Sequence, residues 1–405
     1  MSQVSGTPAA AKAVKKPRII GLDAARGVAL MGMIAIHVMP AVNDDYEPTL
    51  IWNIASGTAS ALFALLAGVG LSLSSRRAVN SPVELAGARA ALATRAGFIL
   101  ALGLVLALVD MPAYIILAYY GVMFLLAIPF LRLGPTALGF ASLGFAVAGS
   151  LAAWQLSGSL PHLDYIDPSL STLFSDPGAT LSALLFTGTY PAIPWMTYIC
   201  AGMAIGKLDL RSKDIQLRIG ATGLFLWLST WAASALLLGP LGGKGELIRS
   251  TRRWLSAEDV NDSLIYGLPT EIPLDSLWWQ VTLIPHSNMV FEMLNTLGVG
   301  MLILVLALII GERVAWLLHP LAILGSMTLS IYTAHLLFLA TGLGTENPTL
   351  SFWMQIGSAL LLAVLWKNIS GLGQGPLEYV TGSLAGKARV KAMNRKTAEA
   401  EAPQR

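Results

Sequence analysis

The feature that most constrains this chain is a succession of apolar runs from residue 19 to residue 369, each roughly 20 residues long, the length a helix needs to cross ~30 Å of hydrocarbon. Only 12% of the 405 residues are charged and 55% are hydrophobic, whereas a soluble domain carries roughly a quarter charged residues. Backbone polar groups in lipid must be satisfied within the segment that carries them, so the runs read as helices. The expected fold class is all-α, a polytopic transmembrane helical bundle. About ten spans are expected, near 19–42, 50–74, 92–110, 114–133, 136–155, 181–206, 218–239, 284–311, 318–341 and 350–369. In the sixth, "TYPAIPWMTY" places Pro191 and Pro194 where a helix should break, which predicts a short helix, a proline turn and then a span.

The basic residues order this map. Arg76, Arg77 and Arg89, then Arg132, then Lys207, Arg211, Lys213 and Arg218, then Arg313, and both chain ends all fall on one side of a ten-span layout. Lys and Arg mark the cytoplasmic face, so both termini are expected there. The exception is a long outer loop, about 240–280, which holds Lys244, Arg249, Arg252 and Arg253. Long loops translocate largely regardless of charge. Its aromatic end, "SLWWQ", reads as an interfacial belt. Residues 1–18 read as a disordered basic cytoplasmic tail, 19–380 as one membrane domain and 381–405 as a basic cytoplasmic tail. The basic start could precede a signal peptide, but Asp23 and Arg26 interrupt the apolar core, which favours an uncleaved first span. One cysteine, Cys200, excludes an intramolecular disulfide. No HExxH, no paired zinc ligands and no GxSxG occur, so no metal is expected.

Ionisable groups inside spans are expensive and are functional candidates by default. The first span, "GLDAARGVALMGMIAIHVMP", holds three: Asp23, Arg26 and His37. Arg26 and His37 are eleven residues apart, about 16 Å along a helix, and at 100° per residue they fall within roughly 20° of the same face. One face therefore presents a cation toward the inside and a titratable imidazole toward the outside. That layout suits holding a phosphorylated carrier at one end and doing proton chemistry at the other. The alternative is an Asp23–Arg26 pair that fixes the helix in the bundle, with His37 bonded to a loop carbonyl. In "IPHSNMVFEMLNTLGVG", His286 and Glu292 are too far apart for one helix face, so His286 is expected on the turn before the eighth span. There it could bind a sugar or a carboxylate beside Ser287; equally, Ser287 or Asn288 could simply cap the helix. His335, in "SIYTAHLLF", reads as a packed histidine with one hydrogen bond, structural or supporting, with a catalytic role as the alternative. The Gly-rich "ALLAGVGLSLSS" lacks a P-loop lysine and reads as small residues that allow close helix packing.

"RIIGLDAARGVALMGMIAIHV" resembles the opening helix of the transmembrane acyltransferase superfamily, and the Arg26-to-His37 spacing resembles the acyltransferase-3 motif. "LFALLAGVGLSLSSRR", "PAIPWMTYICAGMAIGK", "PHSNMVFEMLNTLG", "LAILGSMTLSIYTAH" and "GPLEY" resemble the heparan-α-glucosaminide N-acetyltransferase-like and YeiB-like branch, in order, over most of residues 18–380. YeiB-like proteins often carry Asn where this chain has His37. The resemblance implies an integral acyltransferase of the cell membrane. It would take an acyl group, foremost acetyl, from acyl-CoA in the cytoplasm to a hydroxyl or amino group of a glycan, glycolipid or small molecule at the outer face. It carries the catalytic role onto His37 and a motif role onto Arg26. Combined with the layout above, the donor's phosphates are expected at Arg26, Arg95, Arg76 and Arg77, since arginine forks match phosphate oxygens. The acceptor is expected at His286, Ser287, Glu292 and Arg252, with Asp23 and His335 in support. The partners are then the bilayer, acyl-CoA and the acceptor, with no nucleic acid; a homo-oligomer is an allowed assembly. A multi-pass transporter or flippase of a polar or glycolipid substrate is the competing class, because it too would have many spans and buried ions.

Overall fold

The computed structural model describes residues 18–76, 78–163, 167–268 and 276–401. Among these the chain is helical, with no strand and a single isolated bridge between Val42 and Pro48. Residues 1–17 of the expected tail 1–18, residues 402–405 of the expected tail 381–405, and Arg77 lie outside the described residues.

The central helix is α1 (Ile20–Val38). A short α2 (Leu50–Ala55) leads into α3 (Thr58–Ser75), and α4 (Pro82–Leu106) follows. Apolar sequence alone placed the start of α4 at residue 92, but the helix begins ten residues earlier. There the Ser81 hydroxyl accepts the Glu84 N–H and Pro82 occupies the first helical position, a standard helix start. Next come α5 (Leu117–Ala127), α6 (Pro135–Gly144), which runs through a π turn into α7 (Ser150–Ser157), and the short α8 (Leu170–Ser175) and α9 (Pro177–Ser182). The chain breaks after Thr187, and Pro191 caps α10 (Ala192–Gly206), which is the proline turn expected from "TYPAIPWMTY".

The remainder comprises α11 (Lys213–Leu238), α12 (Gly243–Thr251), α13 (Ala257–Tyr266), α14 (Val290–Arg313), α15 (Ala315–Gly325), α16 (Thr328–Ala340), α17 (Pro348–Ser370) and α18 (Pro376–Glu401). Among the described residues seven helical segments are long and apolar enough to span a bilayer, or eight if α15 and α16, bent by 64° at their junction, make one broken span. The count of ten also includes α5 and the expected sixth span, 181–206. The latter divides into two shorter helices, and the 11 residues of α5 reach only about 16 Å. Much of α11 faces outward, with Leu217, Phe225 and Trp231 exposed, as expected of a helix solvated by lipid.

Packing around α1 relies on small residues. A side chain on Gly68 of α3 would strike the Ile199 carbonyl of α10, and one on Gly202 would strike the Leu65 carbonyl, so the two backbones touch. Gly68 of "ALLAGVGLSLSS" therefore does the packing work read from the sequence. On the other side of α1, Gly27 meets Leu321 of α15, and Gly325 lies against the Asp23 carbonyl.

Two regions differ from expectation. The described part of the long loop 240–280 is a folded cap: Leu247 of α12, Val260 of α13, Trp279, Ile284 and Met289 form a separate small core. Trp279 is fully buried in it, so "SLWWQ" is not simply an interfacial belt. The cap docks on α2 through Trp52 Nε1 to the Ile265 carbonyl at 3.0 Å, and on the loop after α1 through Tyr266 Oη to the Tyr46 carbonyl at 3.0 Å. It therefore belongs to the His37 end of α1. Residues 381–401 of the expected C-terminal tail belong to helix α18, laid along α4, where the side chains of Arg389 and Met393 pack at Gly87.

Candidate active site

At its start, α1 places Asp23 and Arg26 one turn apart. Asp23 is buried and holds two cations, Arg18 Nε to Oδ2 at 3.0 Å and Arg26 Nη1 to Oδ1 at 3.2 Å. The other arm of the guanidinium reaches α3 at Gly70, where a β-carbon would stand 2.9 Å from Arg26 Nη2. Glycine at 70 thus makes room for the fork. Arg26 and Arg95 of α4 line one cavity of about 270 Å³ with Phe63, Tyr120, Thr328 and Tyr332, and no carboxylate is among its lining residues. The structure brings two of the four expected donor arginines together. Arg76 is elsewhere: its Nη2 donates to the Lys207 carbonyl at 2.7 Å and ties the end of α3 to the end of α10.

At the other end of α1, His37 Nδ1 is 3.0 Å from His335 Nε2 of α16, with the two rings nearly coplanar at 3°. His335 Nδ1 is in turn 2.6 Å from Gln355 Oε1 of α17, and Gln355 Nε2 donates to Ser351 Oγ at 3.2 Å. This order assigns the protons. The amide oxygen can only accept, so His335 carries its proton on Nδ1 and its Nε2 accepts from His37 Nδ1–H. Neutral His37 then has a free lone pair on Nε2, the atom a general base needs. Tyr332 lies one turn before His335, with ring centroids 6.4 Å apart, and also lines the arginine cavity. It stands between the two ends of the site.

The α16 helix that carries Tyr332 and His335 starts at the break after α15, with free N–H groups. Glu378, from the "GPLEY" stretch of α18, takes them: Leu329 N donates to it at 2.7 Å, Ser330 N at 3.2 Å and Ser330 Oγ at 2.5 Å. A carboxylate at a helix N-terminus is favourable for both hydrogen bonding and the helix dipole.

The residues expected at the acceptor side cluster on the turn before α14. His286 and Asn288 have φ of 58° and 59°, left-handed conformations uncommon for residues other than glycine. Neither Ser287 nor Asn288 caps the helix; Met289 holds that position without a side-chain bond. Asn288 Oδ1 instead accepts from Trp195 Nε1 at 2.7 Å, and Ser287 Oγ accepts from Met289 N at 3.4 Å. Tyr190 packs edge-on against the His286 ring at 5.4 Å. Glu292 is buried, with Gly57 beside it. His286 Nδ1 and Glu292 Oε2 are buried without a hydrogen-bond partner among the described residues, so each is available to a ligand. Arg252 is exposed at the end of α12. In the loop before α8, Asp167 accepts the Ile115 N–H at 2.7 Å, and burial pushes its carboxyl up to about 6.

The heparan-alpha-glucosaminide N-acetyltransferase catalytic family matches residues 18–238, a stretch that carries Arg26, His37 and Arg95. The chain belongs to this family. No curated protein matches it. Membership in the heparan-alpha-glucosaminide N-acetyltransferase family marks the chain as a membrane transferase of acetyltransferase-like function. The matched stretch ends with α11, so His335, Gln355 and Glu378 lie beyond it. Gln355, Tyr332 and Glu378 are the residues that sequence reasoning passed over. The signals were an amide inside a span ("FWMQIGS"), a tyrosine one turn before a histidine, and an acid just after the last span. Among the described residues no group of three or more His, Cys, Asp or Glu is placed to hold a metal.

Proposed function

We propose that the chain is an integral acyltransferase of the cell membrane. It moves an acyl group, foremost acetyl, from cytoplasmic acyl-CoA to a hydroxyl or amino group of a glycan, glycolipid or small molecule at the opposite face. The observation that carries this reading is the split of α1: a two-arginine cavity at one end and a free imidazole nitrogen, held by the His335–Gln355 file, at the other. The excess of Lys and Arg in the short loops supports placing the Arg26 end, with both termini, in the cytoplasm. The bilayer, acyl-CoA and the acceptor are the partners this requires.

Arg26 and Arg95 would hold the donor's phosphate oxygens. About 16 Å of helix separates Arg26 from His37, which matches a pantetheine arm of roughly 15–20 Å by extended-chain reach. As the acceptor oxygen or nitrogen attacks the thioester carbon, His37 Nε2 takes its proton. The carbon–sulfur bond then breaks, and the proton returns from the imidazolium to the departing sulfur, giving the acylated acceptor and free thiol. General base assistance of this kind contributes ~10²–10⁴-fold. His335 and Gln355 keep His37 in the tautomer that exposes Nε2 and stabilise the transient cation. His286, Ser287 and Glu292 surround the place where the acceptor would sit; Arg252, exposed on the cap, would meet a larger acceptor first.

The test is acetyl-CoA binding to the detergent-purified full chain by calorimetry, for the wild type, Arg26→Ala and His37→Ala. Micromolar binding that Arg26→Ala weakens and His37→Ala spares is the expected result. Absence of binding by acetyl-CoA and by longer acyl-CoAs would overturn the enzyme reading. It would favour a multi-pass transporter, for which the 64° break between α15 and α16 is the kind of interrupted helix that lines a substrate path.

A further inference from the structure

A second cavity, of about 200 Å³, adjoins the arginine cavity and shares Leu71 and Arg95 with it. Its walls come from Ser74 and Ser75 of α3, from Ala88 to Arg95 of α4, and from Gly382, Ala385, Gly386 and Arg389 of α18. Two guanidiniums, Arg95 and Arg389, line it with no carboxylate. Among the described residues neither forms an ion pair. Partly buried cations without a counter-charge are costly unless an anion joins them. The wall from α18 is also set back. Gly382 and Gly386 are one helical turn apart, and a β-carbon on either would meet nothing within 4 Å.

The position of α18 is fixed by the fold. Thr381 and Ala385 are buried, Arg389 and Met393 pack at Gly87, and Glu378 binds the start of α16. We propose that α18 completes the donor site, with Arg389 and Arg95 binding the phosphorylated ribose end of acyl-CoA while the Arg26 cavity holds the arm that follows. This rests on the acyl-CoA reading given above and adds to it a binding residue on an element well outside the family match of 18–238. The ligand chemistry is a phosphomonoester, which an anionic lipid headgroup could also present.

The experiment is calorimetry on the full chain in nanodiscs of phosphatidylcholine, titrating acetyl-CoA and its 3′-dephospho analogue. Losing one arginine–phosphate contact is expected to weaken acetyl-CoA binding about tenfold in Arg389→Ala, and to change the dephospho analogue by less than about twofold. Gly386→Leu, whose β-carbon would meet no atom within 4 Å and which favours the helix, should block acetyl-CoA binding by filling the cavity while the thermal midpoint holds. Arg395→Ala, paired with Glu399 farther along α18, should bind as the wild type does. If the wild type binds acetyl-CoA and Arg389→Ala binds it equally well, the role of α18 is overturned and the donor reading stands. If the wild type binds neither compound, both fall together. If adding phosphatidylglycerol to the nanodiscs displaces acetyl-CoA from the wild type but not from Arg389→Ala, the cavity is a lipid headgroup site and the nucleotide assignment is wrong.

Discussion

At one end of α1 the guanidiniums of Arg26 and Arg95 face a cavity of about 270 Å³, and the one carboxylate bonded to Arg26, Asp23, is shared with Arg18. At the other end His37, His335 and Gln355 form a file of neutral groups, each donor matched to an acceptor. The first end has charge to spare and space to fill, and both point to an anionic ligand. The second has its hydrogen bonds satisfied along the file and leaves one lone pair free, which points to moving a proton rather than holding a charge. Because one rigid helix carries both, the distance between the two functions is set by helix geometry and not by a loop.

The largest effect separates these roles outright. His37→Ala should lower acyl transfer, or thioester hydrolysis with water as acceptor, by ~10²–10⁴-fold, with acetyl-CoA affinity unchanged; thiol release and calorimetry on one preparation read both. Arg26→Ala should do the reverse. It should weaken donor binding roughly 10- to 100-fold, the loss expected for a hydrogen bond to a charged group, while the rate at saturating donor falls far less. If both variants damaged affinity and turnover alike, the division between the two ends would be wrong.

The two ends were not equally legible in the sequence. Arg26 and His37 stand out because each is an ionisable group in an apolar run, and their shared face follows from helix geometry alone. The partner of His37 lies 298 residues away, and no spacing rule reaches that far. Gln355 does not ionise, so the cost of charge in a span does not single it out, yet a buried amide there also needs a partner. The early start of α4 is written in Ser81 and Pro82 and not in the apolar run that follows. Trp279 shows the opposite limit. Its burial depends on Leu247 and Val260 folding over it, which an aromatic-rich stretch does not announce. Similarly, residues 381–401 have the composition of a basic tail and become a helix because α4 offers a surface to pack on.

Gln355→Met sharpens the comparison within the His37 end. The amide touches His335 and not the reacting atoms, so it is a positioning residue. Removing its oxygen frees His335 to change tautomer, and part of the time His37 would then present a protonated Nε2. Turnover should fall about tenfold, a shift of roughly 1.4 kcal/mol in the barrier, with the affinity for acetyl-CoA unchanged. A merely structural role would instead lower thermal stability and affinity together.

The smallest effect tests whether the two ends are mechanically joined. Glu378 belongs to α18, which walls the arginine side, yet its carboxylate binds the N–H groups that begin α16, the helix of Tyr332 and His335. Glu378→Gln keeps one acceptor and the side-chain shape but removes the charge, and losing a charged cap costs about 1 kcal/mol. The thermal midpoint should drop by about one to two degrees, the scale set by the unfolding entropy of a chain this long. If Glu378 couples the ends, donor affinity and turnover should each fall slightly in the same variant, because α18 and α16 loosen together. If turnover alone falls, the carboxylate serves only the start of α16, and the two ends communicate through α1 by itself.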